Sequence, residues 1–277
     1  MQSICLPTGE TVPQLGQGTW MIGDSRGRRA EEIATLREGI DLGLTLIDTA
    51  EMYGEGHTEE VVGEAIAGRR DAVFLVSKVY PTNATRTGTL AACERSLKRL
   101  KTDRIDLYLV HWRGRVPLAE TVVAMEGLKD SGKIRHWGVS NFDTDDMQEL
   151  SGVAGGGAVA TNQVLYNLTR RGIEWDLIPW CVKRRIPVMA YSPVEQARLL
   201  AHQGLKSLAQ EIGATPAQLA LAWVMAKDGV IAIPKAGRRE HLRENIGALE
   251  VKITPEITAK IDALFPPPKE ATSLEML

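Results

Sequence analysis

Asp48, Tyr53, Lys78 and His111 each sit at the end of, or just beyond, an apolar run. The runs read Leu46-Ile47-Asp48-Thr49-Ala50 (leading to Glu51-Met52-Tyr53-Gly54), Val76-Ser77-Lys78, and Leu109-Val110-His111-Trp112. A phenol, with an ordinary pKa of about 10, is a poor acid at neutral pH. An adjacent ammonium favours its ionised form and lowers that value, and a carboxylate keeps the ammonium charged and oriented. Such a set makes Tyr53 a general acid toward an oxygen that gains negative charge, with His111 completing an oxyanion site. The same residue types admit a second chemistry, in which Lys78 attacks a carbonyl to form a Schiff base. That route needs a lowered lysine pKa, whereas Asp48 raises it. Each residue alone also has an ordinary structural use: Asp48 as a strand-end cap, Lys78 as a snorkelling lysine, Tyr53 in loop packing and His111 as a satisfied rim residue. A third reading is a non-catalytic regulatory subunit on the same scaffold, since fold does not fix function.

The four act together only if the fold gathers them. Short β-rich segments alternate along the chain with stretches of helical period. The predicted strands are 14–19, 45–49, 72–78, 105–111, 134–139, 160–165, 187–192 and 230–234. Helices are predicted over 29–42, 58–67, 87–100, 118–130, 144–150, 173–184 and 207–212, then 215–226 and 239–249, with a last one opening at Thr254-Pro255. Gly43 reads as a helix-ending glycine, and Thr215-Pro216 as an N-cap followed by proline at the first helical position. A turn around Thr8-Gly9-Glu10 predicts an N-terminal hairpin. Several strands are continuous apolar runs, as parallel strands buried on both faces are. An open sheet binding a dinucleotide should carry G-x-G-x-x-G after its first strand, but Leu15-Gly16-Gln17-Gly18-Thr19-Trp20 lacks the third glycine. The expectation is therefore an α/β fold, a single (β/α)8 TIM barrel over residues 1–277 with an N-terminal β-hairpin and extra C-terminal helices. Its length of 277 residues suits one barrel. Active sites of such barrels lie at the C-terminal strand ends, where Asp48, Lys78 and His111 fall, with Tyr53 just beyond.

A net charge of −2 and a charged fraction of 25% give no footprint for nucleic acid or membrane partners. Cys5, Cys93 and Cys181 form no metal or redox pattern. No signal-peptide pattern opens the chain, and the longest apolar run, 219–226, is too short to span a bilayer. A cytoplasmic monomer acting on a small molecule, with no metal, is the expectation.

With these residues and their order, the chain resembles the aldo-keto reductase family. Asp48, Tyr53, Lys78 and His111 match that family's catalytic tetrad, and Asp48-Thr49-Ala50-Glu51-Met52-Tyr53-Gly54 is close to its first signature. Gly138-Val139-Ser140-Asn141-Phe142 and Ile233-Pro234-Lys235 follow in the expected order. The resemblance covers essentially the whole chain and is nearest to compact bacterial members that reduce small dicarbonyls such as methylglyoxal or diketo-sugar acids. It implies NAD(P)H-dependent reduction of aldehydes or ketones, with Tyr53 donating the proton.

The resemblance also implies a cofactor site. Thr19 and Trp20 line it, and Ser140, Asn141 and Gln163 hold the nicotinamide carboxamide. Tyr191 stacks on the ring, and Ser192 opens the loop at the pyrophosphate. Lys235 and Arg238 meet the adenosine 2′-phosphate, and Glu244 and Asn245 the adenine. Two positions depart from the pattern: Ala236 replaces a hydroxyl residue, and His241 an arginine that grips the phosphate. An imidazole is not a bidentate guanidinium, so NADPH is expected as cofactor with a reduced margin over NADH, and dual use follows. Trp20, Met52 and Trp112 are the implied substrate walls. Short loops predict a shallow pocket, and Arg113 and Arg115 are either contacts for an anionic substrate or solvated surface charge.

Overall fold

The computed structural model describes residues 2–277. Two short strands, β1 (Ser3–Cys5) and β2 (Thr11–Pro13), form an antiparallel hairpin. Eight strands follow: β3 (Gln17–Gly18), β4 (Leu46–Asp48), β5 (Phe74–Val79), β6 (Ile105–Val110), β7 (Ile134–Ser140), β8 (Asn162–Leu165), β9 (Val188–Tyr191) and β10 (Val230–Ala232). They pair in parallel in chain order. The sheet closes on itself where the backbone of Gly16 donates to Ala232 (2.8 Å), Gly18 to Pro234 (3.0 Å) and Ala232 to Gln14 (2.9 Å). A Cβ on Gly18 would lie 2.5 Å from the Ile233 carbonyl oxygen, so glycine is what lets the first and last strands meet.

Helices α1 (Arg29–Asp41), α2 (His57–Ile66), α3 (Arg86–Leu100), α4 (Leu118–Asp130), α5 (Thr144–Gly152), α6 (Leu177–Lys183), α7 (Gln203–Glu211), α8 (Pro216–Met225), α9 (Arg239–Gly247) and α10 (Pro255–Leu264) occupy the connections and the C-terminal region. Gly43, at φ 94°, ends α1 in a Schellman arrangement: its N–H bonds Ile40 and that of Leu44 bonds Gly39. Thr215 and Gln218 form a reciprocal capping box at α8.

Alternation within strands separates two apolar layers. Leu46, Phe74, Val76, Leu107, Leu109, Met189, Ile231 and Ile233 fill the barrel, joined at its N-terminal end by Leu6 and Val12 of the hairpin. Leu75, Tyr108, Val139 and Val188 face the other way, toward the helices. The hairpin is thus a plug under the barrel floor. No helix among the described residues is long and apolar enough to cross a membrane.

Some boundaries differ from expectation. The first barrel strand is Gln17–Gly18, not 14–19, and Leu15 contributes only an isolated bridge to Ala232. The helix expected over 173–184 divides into a 3-10 turn, Gly172–Glu174, and α6, because Asp176 is non-helical and its carboxylate accepts the Leu177 N–H. Helix α7 begins earlier than 207, where the His202 ring accepts the Leu205 N–H. A 3-10 stretch at Glu195–Ala201, with left-handed Gln196 and Ala197, has no counterpart among the expected elements.

Candidate active site

Toward their C-terminal ends several barrel strands carry a polar side chain that the alternation turns inward. Asp48 ends β4, Lys78 lies one residue before the end of β5, and His111 directly follows β6. The Lys78 Nζ donates to Asp48 Oδ2 (2.8 Å), to the Thr49 carbonyl (2.8 Å) and to the Tyr53 hydroxyl (3.1 Å). An ammonium has three protons, and all three are engaged. Lys78 is 0% exposed and Asp48 2%; a buried pair of this kind is sustained only when its remaining donors and acceptors are also satisfied. The second oxygen of Asp48 accepts from Gln163 Nε2 at 2.7 Å, so the carboxylate is held on both sides. Because the Tyr53 oxygen accepts from Lys78, its own proton is left to point elsewhere.

His111 stands beside Tyr53, ring centroids 5.8 Å apart at 71°. Its Nδ1 is buried without a hydrogen-bond partner. Trp20 lies edge-on to Tyr53 at 4.9 Å and Trp112 tilts against His111 at 5.1 Å. Tyr80, not singled out from the sequence, backs Trp112 at 4.9 Å.

Burial and charge act in opposite directions on these groups. Burial alone would push the Lys78 pKa down, but Asp48 and Tyr53 together outweigh it and hold the lysine above its ordinary value. Burial pushes the Tyr53 phenol up, and the Lys78 ammonium only partly offsets this against a further rise from Asp48. The expected net fall of the phenol's pKa is therefore corrected: Lys78 pulls it down as predicted, but desolvation is larger. Burial, then the Lys78 charge, pushes His111 down to about 2, so the imidazole is neutral across the physiological range.

The aldo/keto reductase family model matches residues 14–265. The chain belongs to the aldo/keto reductase family. The methylglyoxal reductase YeaE of Escherichia coli is 52% identical over 272 residues, 96% of each chain. An aldo/keto reductase from Klebsiella pneumoniae, solved in complex with NADP and acetate, superposes with a TM-score of 0.97 at 52% identity, covering 99% of each chain. A thermostable aldo-keto reductase solved with the inhibitor epalrestat gives 0.89 at 43% identity, covering 95% of this chain and 100% of that one. The chain is thus an oxidoreductase of a family whose (β/α)8 barrel it shares.

Other family positions occupy the same rim. Ser140 and Gln163 are buried. Asn141 is left-handed at φ 55°, a conformation asparagine tolerates. Its Nδ2 donates to the His111 carbonyl (3.1 Å) and its Oδ1 accepts from the Tyr191 hydroxyl (3.0 Å). The Thr19 hydroxyl donates to the Asp48 carbonyl at 2.8 Å, so it braces the strand end that carries Asp48. Ser192 is left-handed at φ 47°, and its carbonyl accepts from Asn167 Nδ2. Met52, half-buried, directly precedes Tyr53.

At the β10–α9 turn, Lys235 bridges to Gly18, and Arg238 sits at the N-cap of α9. His241 is exposed, Glu244 half-buried and Asn245 buried, whereas Ala236 is buried and offers no hydroxyl. Burial, then the charge of Arg28, holds the Lys235 pKa below its ordinary value. Arg28 was not apparent from the sequence because it lies 209 positions from Gly237, whose carbonyl its Nη2 reaches at 3.1 Å.

Arg113 does not face the barrel mouth as a free cation. It donates to the carbonyls of Gly114 (2.6 Å) and Val116 (3.2 Å) and pairs with Glu149 at 3.1 Å, so its role is to fold its own loop. The C-terminal tail returns to the rim: Arg170 pairs with Glu275, and the Leu277 N–H lies 3.4 Å from the Tyr191 hydroxyl. The mouth is flanked by this segment and is less open than short loops alone imply.

Proposed function

We propose that this chain reduces small aldehydes and ketones with NADPH, 2-oxoaldehydes such as methylglyoxal being the substrate class, within one domain spanning residues 1–277. The observation that carries the proposal is the Asp48–Lys78–Tyr53 chain, in which the phenol oxygen accepts a hydrogen bond from a saturated ammonium and keeps its own proton available. The relatives support it: one is a methylglyoxal reductase, and structures of the Klebsiella enzyme carry NADP or NADPH.

The residues present fit such a cofactor. Lys235 has no hydrogen-bond or ion-pair partner among the described residues, and a Cβ on Gly237 would fill the space 3.1 Å from its Nζ. Ser140, Asn141 and the free oxygen of Gln163 hold the carboxamide, Tyr191 supports the ring, and Ser192 meets the pyrophosphate. Lys235, Arg238, His241, Glu244 and Asn245 take the adenosine end. When bound, the reduced nicotinamide supplies a hydride to the carbonyl carbon. Tyr53 gives its proton to the carbonyl oxygen as negative charge develops there, and Lys78 stabilises the phenolate that is left. Neutral His111 donates a hydrogen bond to the same oxygen and orients it. Trp20, Met52 and Trp112 exclude water around this polar centre. Arg113, tied to its own loop, is not free to meet an anionic substrate.

Lysine held above its ordinary pKa is the reverse of what a Schiff-base nucleophile needs. Oxidation of NADPH with methylglyoxal, followed for wild type and Tyr53→Phe, tests the proposal. The variant should lose about 10²-fold or more in kcat, as removal of a general acid does. An undiminished rate in Tyr53→Phe, or borohydride trapping of substrate on Lys78, would overturn it.

A further inference from the structure

Where the family resemblance leads one to expect an arginine the β10–α9 turn carries His241, and a guanidinium from another part of the chain reaches this turn at Gly237. Arg28 precedes α1, and its Nη2 donates to the Gly237 carbonyl at 3.1 Å. A Cβ built on Gly237 would lie 2.9 Å from Arg28 Nη2 and 3.1 Å from Lys235 Nζ. Two cationic heads therefore converge on one small space kept open by a glycine. Neither head is hydrogen-bonded to a carboxylate. The carboxylate paired with Arg28 is Glu31, at 3.8 Å and half exposed, and Arg28 Nε is buried with no hydrogen-bond partner. The nearby acids are Glu32, which accepts the Gly23 N–H at 3.0 Å, and Asp24, neither of them within ion-pair distance of Lys235. Arg239 and Arg243, by contrast, are both paired with Glu38.

Like charges pressed together without an anion are unfavourable, and a buried guanidinium N–H without an acceptor adds a desolvation cost. A phosphomonoester dianion relieves both, since it offers several acceptor oxygens to a planar fork and to a point charge at once. We propose that Arg28, with Lys235 and across the open space at Gly237, is the specificity determinant for the adenosine 2′-phosphate, supplying from the β3–α1 connection the guanidinium that position 241 lacks. The assignment rests on the cofactor reading above and deepens it. It also revises the expectation drawn from His241, because the margin for NADPH over NADH is restored by a residue remote in sequence.

Calorimetric titration of the full chain with adenosine 2′,5′-bisphosphate, adenosine 5′-monophosphate and inorganic phosphate tests it without any turnover. Wild type should bind the bisphosphate more tightly than the monophosphate. Arg28→Ala should weaken the bisphosphate by about 10-fold or more, the loss of one charge-assisted contact, and leave the monophosphate within about twofold. Arg28→Lys should fall between. Gly237→Ala, whose methyl group enters the space between two flexible side-chain ends and leaves the backbone unstrained, should also weaken only the bisphosphate. Equal losses for both nucleotides, or none, in Arg28→Ala and Gly237→Ala would overturn the role of Arg28 while leaving the reductase reading intact. Failure of wild type to bind either nucleotide would overturn both. Inorganic phosphate binding as tightly as the bisphosphate would reduce the cluster to an unspecific anion site and refute the assignment.

Discussion

At the scale of single residues, the site works by keeping protons where they are until an acceptor arrives. Tyr53 is held above its ordinary pKa by burial, so it stays protonated well beyond neutrality and gives up its proton only to an oxygen made basic by reaction. His111, pushed down to about 2, is neutral throughout that range and serves as a hydrogen-bond donor without a charge change. The sign follows: a histidine with a depressed pKa has already lost its proton at pH 5, so raising the pH changes nothing at that ring. The kcat/KM for reduction should therefore show no inflection between about pH 5 and 9 from this residue. A titration step near pH 6.5, the ordinary imidazole value, that vanishes in His111→Asn would contradict the assignment. The identity of the four central residues was legible in the chain because each ends or follows an apolar run. What was not legible was the balance of forces on Tyr53. Proximity of an ammonium is a matter of residue type, but the desolvation that outweighs it depends on how closely Trp20, His111 and the rim pack.

Secondary-structure elements carry these residues through a few close approaches. Helix α2, which follows the Tyr53 turn, crosses the end of α3 at Gly63, where a Cβ would lie 2.8 Å from the carbonyl oxygens of Arg99 and Leu100. Alanine in place of glycine within a helix is ordinarily favourable by about 1 kcal/mol. Here the opposing atoms are backbone and cannot swing aside, so Gly63→Ala should destabilise the protein by about 1–3 kcal/mol, as overpacking does. Urea titration would show a lower midpoint, and a raised midpoint would mean that α2 shifts freely. The periodicity of the chain revealed most of these elements, because parallel strands and their covering helices have distinct apolar patterns. It misplaced the ones governed by local capping. The break at Asp176 and the early start at His202 depend on side chains that bond particular backbone N–H groups, and several residue types can do that. Arg28 and the Gln163–Asp48 bond were hidden for another reason: they join positions far apart in the chain, and only closure of the barrel makes them neighbours.

Across the whole molecule, stability and chemistry occupy opposite ends of one barrel. The hairpin residues Leu6 and Val12 pack into the floor with Leu46, Phe74 and Leu107, while the side chains proposed to meet substrate or cofactor lie toward or beyond the other ends of the strands. Such a division of labour is general for this architecture. Leu6→Ala should remove about 3 kcal/mol of stability, lowering Tm by roughly 5–10 °C. At 25 °C its kcat/KM should stay within about twofold of wild type, the floor being remote from the chemistry. A large fall in kcat/KM with an unchanged melting temperature would show that the floor and the rim are coupled.

Cysteine placement follows the same polarity. Cys93 and Cys181 are buried, and burial pushes both thiols up to about 12, whereas Cys5 is exposed on the plugging hairpin. A maleimide reagent applied at neutral pH will therefore reach one sulfur, at the end remote from catalysis. The native chain comes with a built-in tether point: fixed to a support through that thiol, every molecule would stand with its mouth facing the solution.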